Sequence, residues 1–437
     1  MSAEEFTYDP YAFSIFEGVD VDNHIIAIYS LEVEPGRDFL KIAEGLASEA
    51  TTGTWIKVPT ETSEIRKKYQ AKVLGTYEIP SEGYQRVMIA VAHPIENFGP
   101  SMPMSMVLAG IAGNLFSVTA ARVKLTDVFL PKNLVKEFKG PKFGIPGLRN
   151  MLNIHDRPLV GAILKPKTGM SPKEVAEVCY KAALGGADLI KDDEMQSDPS
   201  YCPRIERLHA VMEALDKAQE ETGKKCLYAL NITDRSDKML EIAEKAVEEG
   251  ANCLLINYIT SGYENLRMVA EDPSVSVPLL AHPTMARALV RPENMGITYH
   301  TVKKLVRLCG ADITILSSAY GKMYQPIREY FWSVHALRDP LYGIKSTLPA
   351  LSGGVYPGLA TQHVKDVGID IMMIAGGGVL GHPMGVTAGV KAMVAAVEAA
   401  AKGIPLVEAA KTSQELKVAI DTWGVYEKPK EYIFKPK

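Results

Sequence analysis

The sequence predicts an α/β protein in two parts, a ferredoxin-like α+β domain over residues 1–145 and a (β/α)8 TIM barrel over residues 146–437. Three observations carry that reading. Before residue 140, strand and helix patterns follow one another in the order β-α-β-β-α-β. After it, eight short apolar runs recur, most followed by a helical pattern, over the roughly 250 residues that a barrel of eight β-α units occupies. Between them lies KGPKFGIPGLRN, rich in Gly, Pro and Lys, which reads as a connection between domains.

In the first part the pattern gives a strand from His24 to Val33, a helix from Asp38 to Ala50 and a strand from Lys72 to Ile79. A strand from Arg86 to His93, a helix from Ser105 to Phe116 and a strand from Ala121 to Phe129 complete it. The runs of the second part are VGAILKP, ADLIKDD, CLYALNIT, CLLINYI, VPLLAHP, ITILSS, LPALSGG and IMMIAGGG. Apolar runs without alternation suit parallel strands buried on both faces. The helix SPKEVAEVCYKAAL places Val175, Val178, Cys179 and Ala182 on one stripe. Ser171 and Glu174 open it with the spacing of a capping box.

Composition narrows the function class. The net charge of −4, with Lys and Arg spread along the chain, offers no basic face and excludes nucleic acid as a partner. Small-molecule chemistry is the default. Five widely spaced cysteines fit buried free thiols in a reducing compartment and exclude a zinc knuckle. The start MSAEEFTYDPYAF lacks the pattern of a signal peptide, and no run approaches the ~18 apolar residues of a membrane span. The expectation is a cytoplasmic protein without a membrane partner.

Barrel active sites lie at the C-terminal ends of the strands. There the sequence places Lys165-Pro166-Lys167, Lys191-Asp192-Asp193-Glu194, Asn231 with Asp234, His282, Ser352-Gly353-Gly354 and Gly376-Gly377-Gly378. Strand alternation puts Lys191 and Asp193 on one face, with Glu194 where the chain turns. Two such carboxylates suit Mg2+, which prefers oxygen ligands. An ammonium group would repel the ion, unless Lys191 were carbamylated by CO2 and became a third oxygen ligand. The bland alternative is a solvated charge run. A lysine beside a metal and a second cation has a lowered pKa, so Lys165 and Lys167 suit proton transfer; the alternative is two surface lysines with packed stems. The triple glycine presents backbone N–H groups to a phosphate or merely makes a tight turn, and the SGG after strand seven favours the phosphate. His282 reads equally as a core or a catalytic histidine, and His93 and His382 as structural.

The motifs EATTGTW (49–55), GN (113–114), GAILKPKTG (161–169), GGADLIKDDE (185–194), LAHP (280–283), YGKM (320–323), LSGG (351–354) and AGGGVLGHPMG (375–385) occur together and in order. Over nearly its whole length the chain resembles the large subunit of ribulose-bisphosphate carboxylase (Rubisco) and its non-carboxylating relatives, the Rubisco-like proteins. The resemblance implies that Lys191, as a CO2 carbamate, holds Mg2+ with Asp193 and Glu194. It implies that Lys165 and Lys167 work on an enediolate and that His282 lies beside the substrate chain. Lys322 would close over the substrate and pair with Glu49. The first phosphate would lie against Thr54, Trp55, Lys322, Gly354, Gly376 and Gly377, with Ser352 beside them. Glu49, Thr54, Trp55 and Asn114 would complete the site of the neighbouring subunit, which implies a homodimer or a higher homo-oligomer built from dimers.

The chain also departs from the carboxylases, and two of the departures, Pro283 and Ile315, concern the second phosphate. Pro283 stands where the carboxylases carry an arginine, Ile315 where they carry a second histidine and Ile163 where they carry a threonine, and the loop reads GKMYQP. Losing an arginine fork and a histidine costs several kcal/mol of phosphate binding, at about 1.5–3 kcal/mol per charged hydrogen bond. Arg204 and Arg287 are the cations available to compensate. The leading expectation is a Mg-dependent Rubisco-like enzyme that enolises or isomerises a monophosphorylated ketose-like substrate, such as a methylthio-sugar phosphate or a related keto sugar phosphate. The alternatives are a genuine carboxylase with an atypical second phosphate site and, from a different class, a non-catalytic regulatory protein on the same scaffold.

Overall fold

The computed structural model describes residues 19–427 except 55, 57, 80, 82 and 324. They form two compact units. The first takes in the described residues up to Phe138 together with Ala286–Val302, and the second holds the rest.

In the first unit, strands β1 (His24–Val33), β2 (Lys72–Ile79), β3 (Gln85–Pro94) and β4 (Arg122–Phe129) form an antiparallel sheet in the order β4-β1-β3-β2, the ferredoxin-like arrangement. Alternation drives it: Ile25, Ala27, Tyr29 and Leu31 of β1 are buried, as are Val87, Ile89 and Val91 of β3. The helix Phe39–Glu49 starts where Asp38 accepts from Leu40 N and Lys41 N. The helix Met104–Ala112 stops earlier than its apolar pattern predicts, at Gly113, where a Cβ would lie 2.3 Å from Ala109 O. A further helix, Ser63–Tyr69, buries no residue and so leaves no apolar pattern to read. The two-residue strand Gly296–Ile297 adds to β4 in parallel. Asn294 Nδ2 fixes this segment by donating to Glu32 Oε2 at 2.7 Å, and Thr298 Oγ1 by donating to Thr126 O at 2.6 Å.

The second unit confirms all eight apolar runs as strands: β5 (Leu159–Ile163), β6 (Leu189–Lys191), β7 (Leu227–Asn231), β8 (Cys253–Asn257), β9 (Leu279–His282) and, with Gly296–Ile297 counted as β10, β11 (Ile313–Ser317), β12 (Leu348–Ser352) and β13 (Met372–Ala375). They close as a parallel barrel in the order β11-β12-β13-β5-β6-β7-β8-β9, with β9 paired to β11. Inward residues such as Leu159, Leu189, Leu227, Leu255, Leu280, Ile313, Leu348 and Met372 fill it.

Within the stretch expected to connect the two domains, Gly144–Leu152 is helical, which the sequence pattern did not show. The reason is tertiary. Ile145, Leu148 and Leu152 join the barrel core, and the buried Asp312 accepts from Phe143 N at 2.7 Å and Gly144 N at 2.8 Å. The capping box of Ser171 and Glu174 is formed, with Val175, Cys179 and Ala182 buried behind it. All five cysteines are free and buried. Among the described residues no helix is long and apolar enough to cross a membrane.

Candidate active site

Lys191 ends β6 in register with Ile163 and Ala229, which belong to or pack against the barrel core, so its side chain points inward. Lys191 and Asp193 are both 0% exposed, which no solvated charge run would be. Lys191 Nζ donates to Asp192 O at 2.6 Å and lies 3.7 Å from Glu194 Oε2. Lys165 Nζ donates to Asp193 Oδ2, and Lys167 Nζ lies 3.2 Å from Glu194 Oε1 and 4.0 Å from Asp193 Oδ1. His282 Nε2 approaches Glu194 Oε2 at 3.6 Å. Three ammonium groups and an imidazole thus converge on two carboxylates.

The turn that carries these carboxylates is held by its backbone. Asn231 Nδ2, at the end of β7, donates to Asp193 O and Glu194 O, both at 3.2 Å. Asn257 Nδ2, at the end of β8, donates to Glu194 O at 3.0 Å. Thr284 Oγ1 donates to Asn257 Oδ1 at 3.1 Å and therefore accepts from His282 Nδ1–H at 2.7 Å. Neutral His282 is left with a bare lone pair on Nε2, facing Glu194. Asn257 and Thr284 were not singled out in the sequence: an uncharged residue at a strand end carries no local signal, and only its position beside KDDE on the barrel rim points to it.

Burial lowers the Lys191 amine below the usual lysine range. It also lowers His282, to about 3, with Lys191 acting in the same direction. Burial pushes Glu194 up, while His282, Lys191 and Lys167, which face it, pull it down. In the metal-free site burial pulls Lys167 down, yet Glu194 and Asp193 outweigh burial and raise its pKa; the lowering expected from the sequence is that of a lysine beside a bound metal. Among the described residues no three His, Cys, Asp or Glu side chains are placed to hold a metal by themselves. Asp193 and Glu194 supply two carboxylates, and a carbamate on Lys191 would supply the missing oxygens. That all-oxygen donor set fits a hard cation such as Mg2+.

Across the mouth, the loop after β11 meets the loop after β12. Lys322 N donates to Gly353 O at 2.7 Å, and a Cβ on Gly354, whose φ is +101°, would lie 2.5 Å from Lys322 N. Ser352 O accepts from Ser318 N at 2.9 Å. After β13, Gly376 lies beside Lys165, and a Cβ on Gly377 would meet nothing within 4 Å. Ile315 is buried in the barrel core, while Ile163 and Pro283 are half-buried. Arg204 is engaged by Asp234 Oδ2 at 3.0 Å and Ser197 Oγ at 2.9 Å. Arg287 belongs to the first unit, over the Tyr299 ring. Glu49, Thr54 and Asn114 also belong to the first unit, where all three are exposed. Trp55 lies outside the described residues.

Comparison with known proteins identifies the family. The model of the ribulose bisphosphate carboxylase large chain catalytic domain matches residues 144–423, and that of its N-terminal domain matches residues 18–134. A ribulose bisphosphate carboxylase-like protein of Archaeoglobus fulgidus is 40% identical over 89% of this chain and 90% of its own. A 2,3-diketo-5-methylthiopentyl-1-phosphate enolase of Geobacillus thermodenitrificans is 36% identical over 92% of this chain and 98% of its own. The octameric ribulose-1,5-bisphosphate carboxylase/oxygenase of Pyrococcus horikoshii superposes with a TM-score of 0.85 at 32% identity, over 94% of this chain and 97% of its own. The barrel rim, the ferredoxin-like unit and these matches together place the chain in the ribulose-bisphosphate carboxylase large-chain family, among its Rubisco-like members.

Proposed function

We propose that the protein is a Mg2+-dependent Rubisco-like enzyme that enolises or isomerises a monophosphorylated ketose-like substrate, of the methylthio-sugar-phosphate or keto-sugar-phosphate kind. One observation carries the reading: the rim keeps its lysine and carboxylate cluster complete while Pro283 and Ile315 stand where a second phosphate would need cations. The likeness to the Geobacillus enolase supports it.

Lys191 as a carbamate, with Asp193 and Glu194, would hold the metal, which supplies polarisation of a substrate carbonyl and acidifies the adjacent C–H. Lys165, in contact with Asp193, or the Lys191 carbamate would take that proton. Lys167 would orient the enolate oxygen from its place beside Glu194. The bare Nε2 of His282 would accept from a substrate hydroxyl. Lys322 and the backbone N–H groups at Gly354, Gly376 and Gly377 would bind the single phosphate, with Ser352 beneath them. Glu49, Thr54, Trp55 and Asn114 would complete the site of the neighbouring subunit in a homodimer or an assembly of dimers.

Likeness to a true carboxylase sustains the second reading, ribulose-bisphosphate carboxylation. One experiment separates the two. The protein is incubated with Mg2+ and bicarbonate, then offered ribulose bisphosphate or a panel of keto-sugar monophosphates in D2O. Deuterium next to a monophosphate carbonyl is expected. Labelled CO2 fixed from the bisphosphate would overturn the proposal in favour of the carboxylase.

A further inference from the structure

We infer that Arg207 is a positioning residue for the Lys191, Asp193 and Glu194 cluster, acting through Asp192 and through the backbone on both sides of the two carboxylates; the inference rests on the metal and carbamate reading above. Asp192 faces away from the barrel axis. Its carboxylate, 0% exposed, accepts from Arg207 Nη2 at 3.1 Å, from Tyr228 O–H and from Asn231 N at 2.9 Å. Its own carbonyl is the acceptor that holds Lys191 Nζ.

Arg207 belongs to the helix Arg204–Thr222 and is itself fully buried. Besides Asp192 it donates to Ser197 O at 2.7 Å, to Gln196 O at 3.3 Å, to Cys202 O at 2.8 Å and, through Nε, to Tyr228 Oη at 3.1 Å. One guanidinium therefore grips the chain before Asp193 and after Glu194, and its planar fork fixes direction as well as distance. Asn231 and Asn257 hold the carbonyls of the same turn from the neighbouring strands.

Stability alone does not account for this arrangement. A buried ion pair gains little over apolar side chains of the same volume, because both ions must be desolvated. What the pair supplies is position. Partners that orient metal ligands from behind change metal affinity by about 10–100-fold when removed.

The test uses the full-length protein with bicarbonate and Mn2+ as the probe. Metal binding is followed by electron paramagnetic resonance, and carbamate by the 13C signal from labelled bicarbonate. The variants are Arg207→Lys, which keeps the charge and loses the fork, and Tyr228→Phe, which removes one hydroxyl. The expected result is an Mn2+ dissociation constant raised about tenfold in Tyr228→Phe and 10–100-fold in Arg207→Lys. The carbamate signal at a fixed bicarbonate concentration should fall in parallel. A merely structural role would lower the number of binding sites, through loss of folded protein, and leave their affinity unchanged. If the wild type shows neither Mn2+ binding nor carbamate, the proposed function fails. If the wild type shows both and the variants match its affinity, the inference fails. Should Arg207→Lys not fold, Tyr228→Phe decides.

Discussion

The two sides of the barrel mouth are built by opposite means. At the end of β6 the charges of Lys191 and Asp193 are buried and the cluster is held by side chains: Lys165 on Asp193, the more exposed Lys167 on Glu194, and the asparagines of β7 and β8 on the carbonyls of the same turn. Around β11, β12 and β13 the approaches are backbone to backbone, as where Lys322 N meets Gly353 O, and they depend on glycine. A buried charge cannot move without leaving its partner unpaired, at a cost of several kcal/mol. Backbone contacts at glycines impose no such cost. The difference suits a fixed site of proton transfer faced by a site that receives a phosphate.

The sharpest way to break the comparison is at Lys191. Lys191→Ala removes the amine that would carry the carbamate and so the third oxygen donor, and activity in the D2O exchange assay should fall at least about a thousandfold, the several kcal/mol attributed to metal polarisation of a carbonyl. The 13C carbamate signal should vanish with it. Retained exchange in this variant would show that the buried side of the mouth does not do the chemistry.

Much of this contrast was legible in the sequence, and the exceptions have a common cause. Eight apolar runs gave eight barrel strands, because strands buried on both faces carry their own pattern. The convergence of KPK, KDDE and His282 followed from their places at strand ends. The helix Gly144–Leu152 was hidden because the barrel core holds it and because Asp312, 168 residues beyond Gly144, accepts from its first turn. Strand β10 was hidden because its partner, β4, lies in the other part of the chain. Asn257 and Thr284 were unreadable for a similar reason: what makes them important is a neighbour on the next strand. The rise at Lys167 comes from its immediate partners Glu194 and Asp193, whereas the lowering read from the sequence requires a metal on those carboxylates.

On the glycine side the largest effect is expected at Gly354. Its φ of +101° disfavours any L side chain, and a Cβ would meet Lys322 N at 2.5 Å. Gly354→Ala should therefore displace Lys322 at a cost of about 1–3 kcal/mol. The expected readout is a KM for the monophosphate raised about ten- to a hundredfold, with carbamate formation on Lys191 unchanged. Loss of carbamate in this variant would show that the two sides are coupled.

Behind β11 the glycine side is braced by a buried histidine. His363, fully buried, lies 3.0 Å from both Ser318 Oγ and Tyr330 Oη, and burial lowers its pKa to about 3. The unfolded chain protonates this imidazole below pH ~6.5 while the folded chain does not, so stability is lost as the pH falls from about 6.5 towards 3. One group contributes a slope of about 1.4 kcal/mol per pH unit in that window and none above it. Urea unfolding of His363→Gln at pH 7.5 and pH 5.5 should show a smaller drop than the wild type, by about 1.4 kcal/mol. An equal drop would mean that His363 is accessible to protons in the folded state.

The smallest effect on stability is expected at Gly377, and it is the most informative about the phosphate. Of the three glycines after β13, Gly378 has a packing reason to be glycine, since its Cβ would lie 2.1 Å from Val355 O. Gly377 has none: its φ is ordinary and a Cβ there would meet nothing within 4 Å. Gly377→Ala should accordingly change unfolding free energy by no more than about 0.5 kcal/mol, as for a surface substitution. If the open space beside it is where a phosphate approaches the backbone, the same methyl group should raise KM for the monophosphate and reduce protection by inorganic phosphate in thermal melts. A variant with unchanged stability, KM and phosphate protection would leave the glycine side of the mouth without its ligand, and would confine the argument for function to the buried charges of the other side.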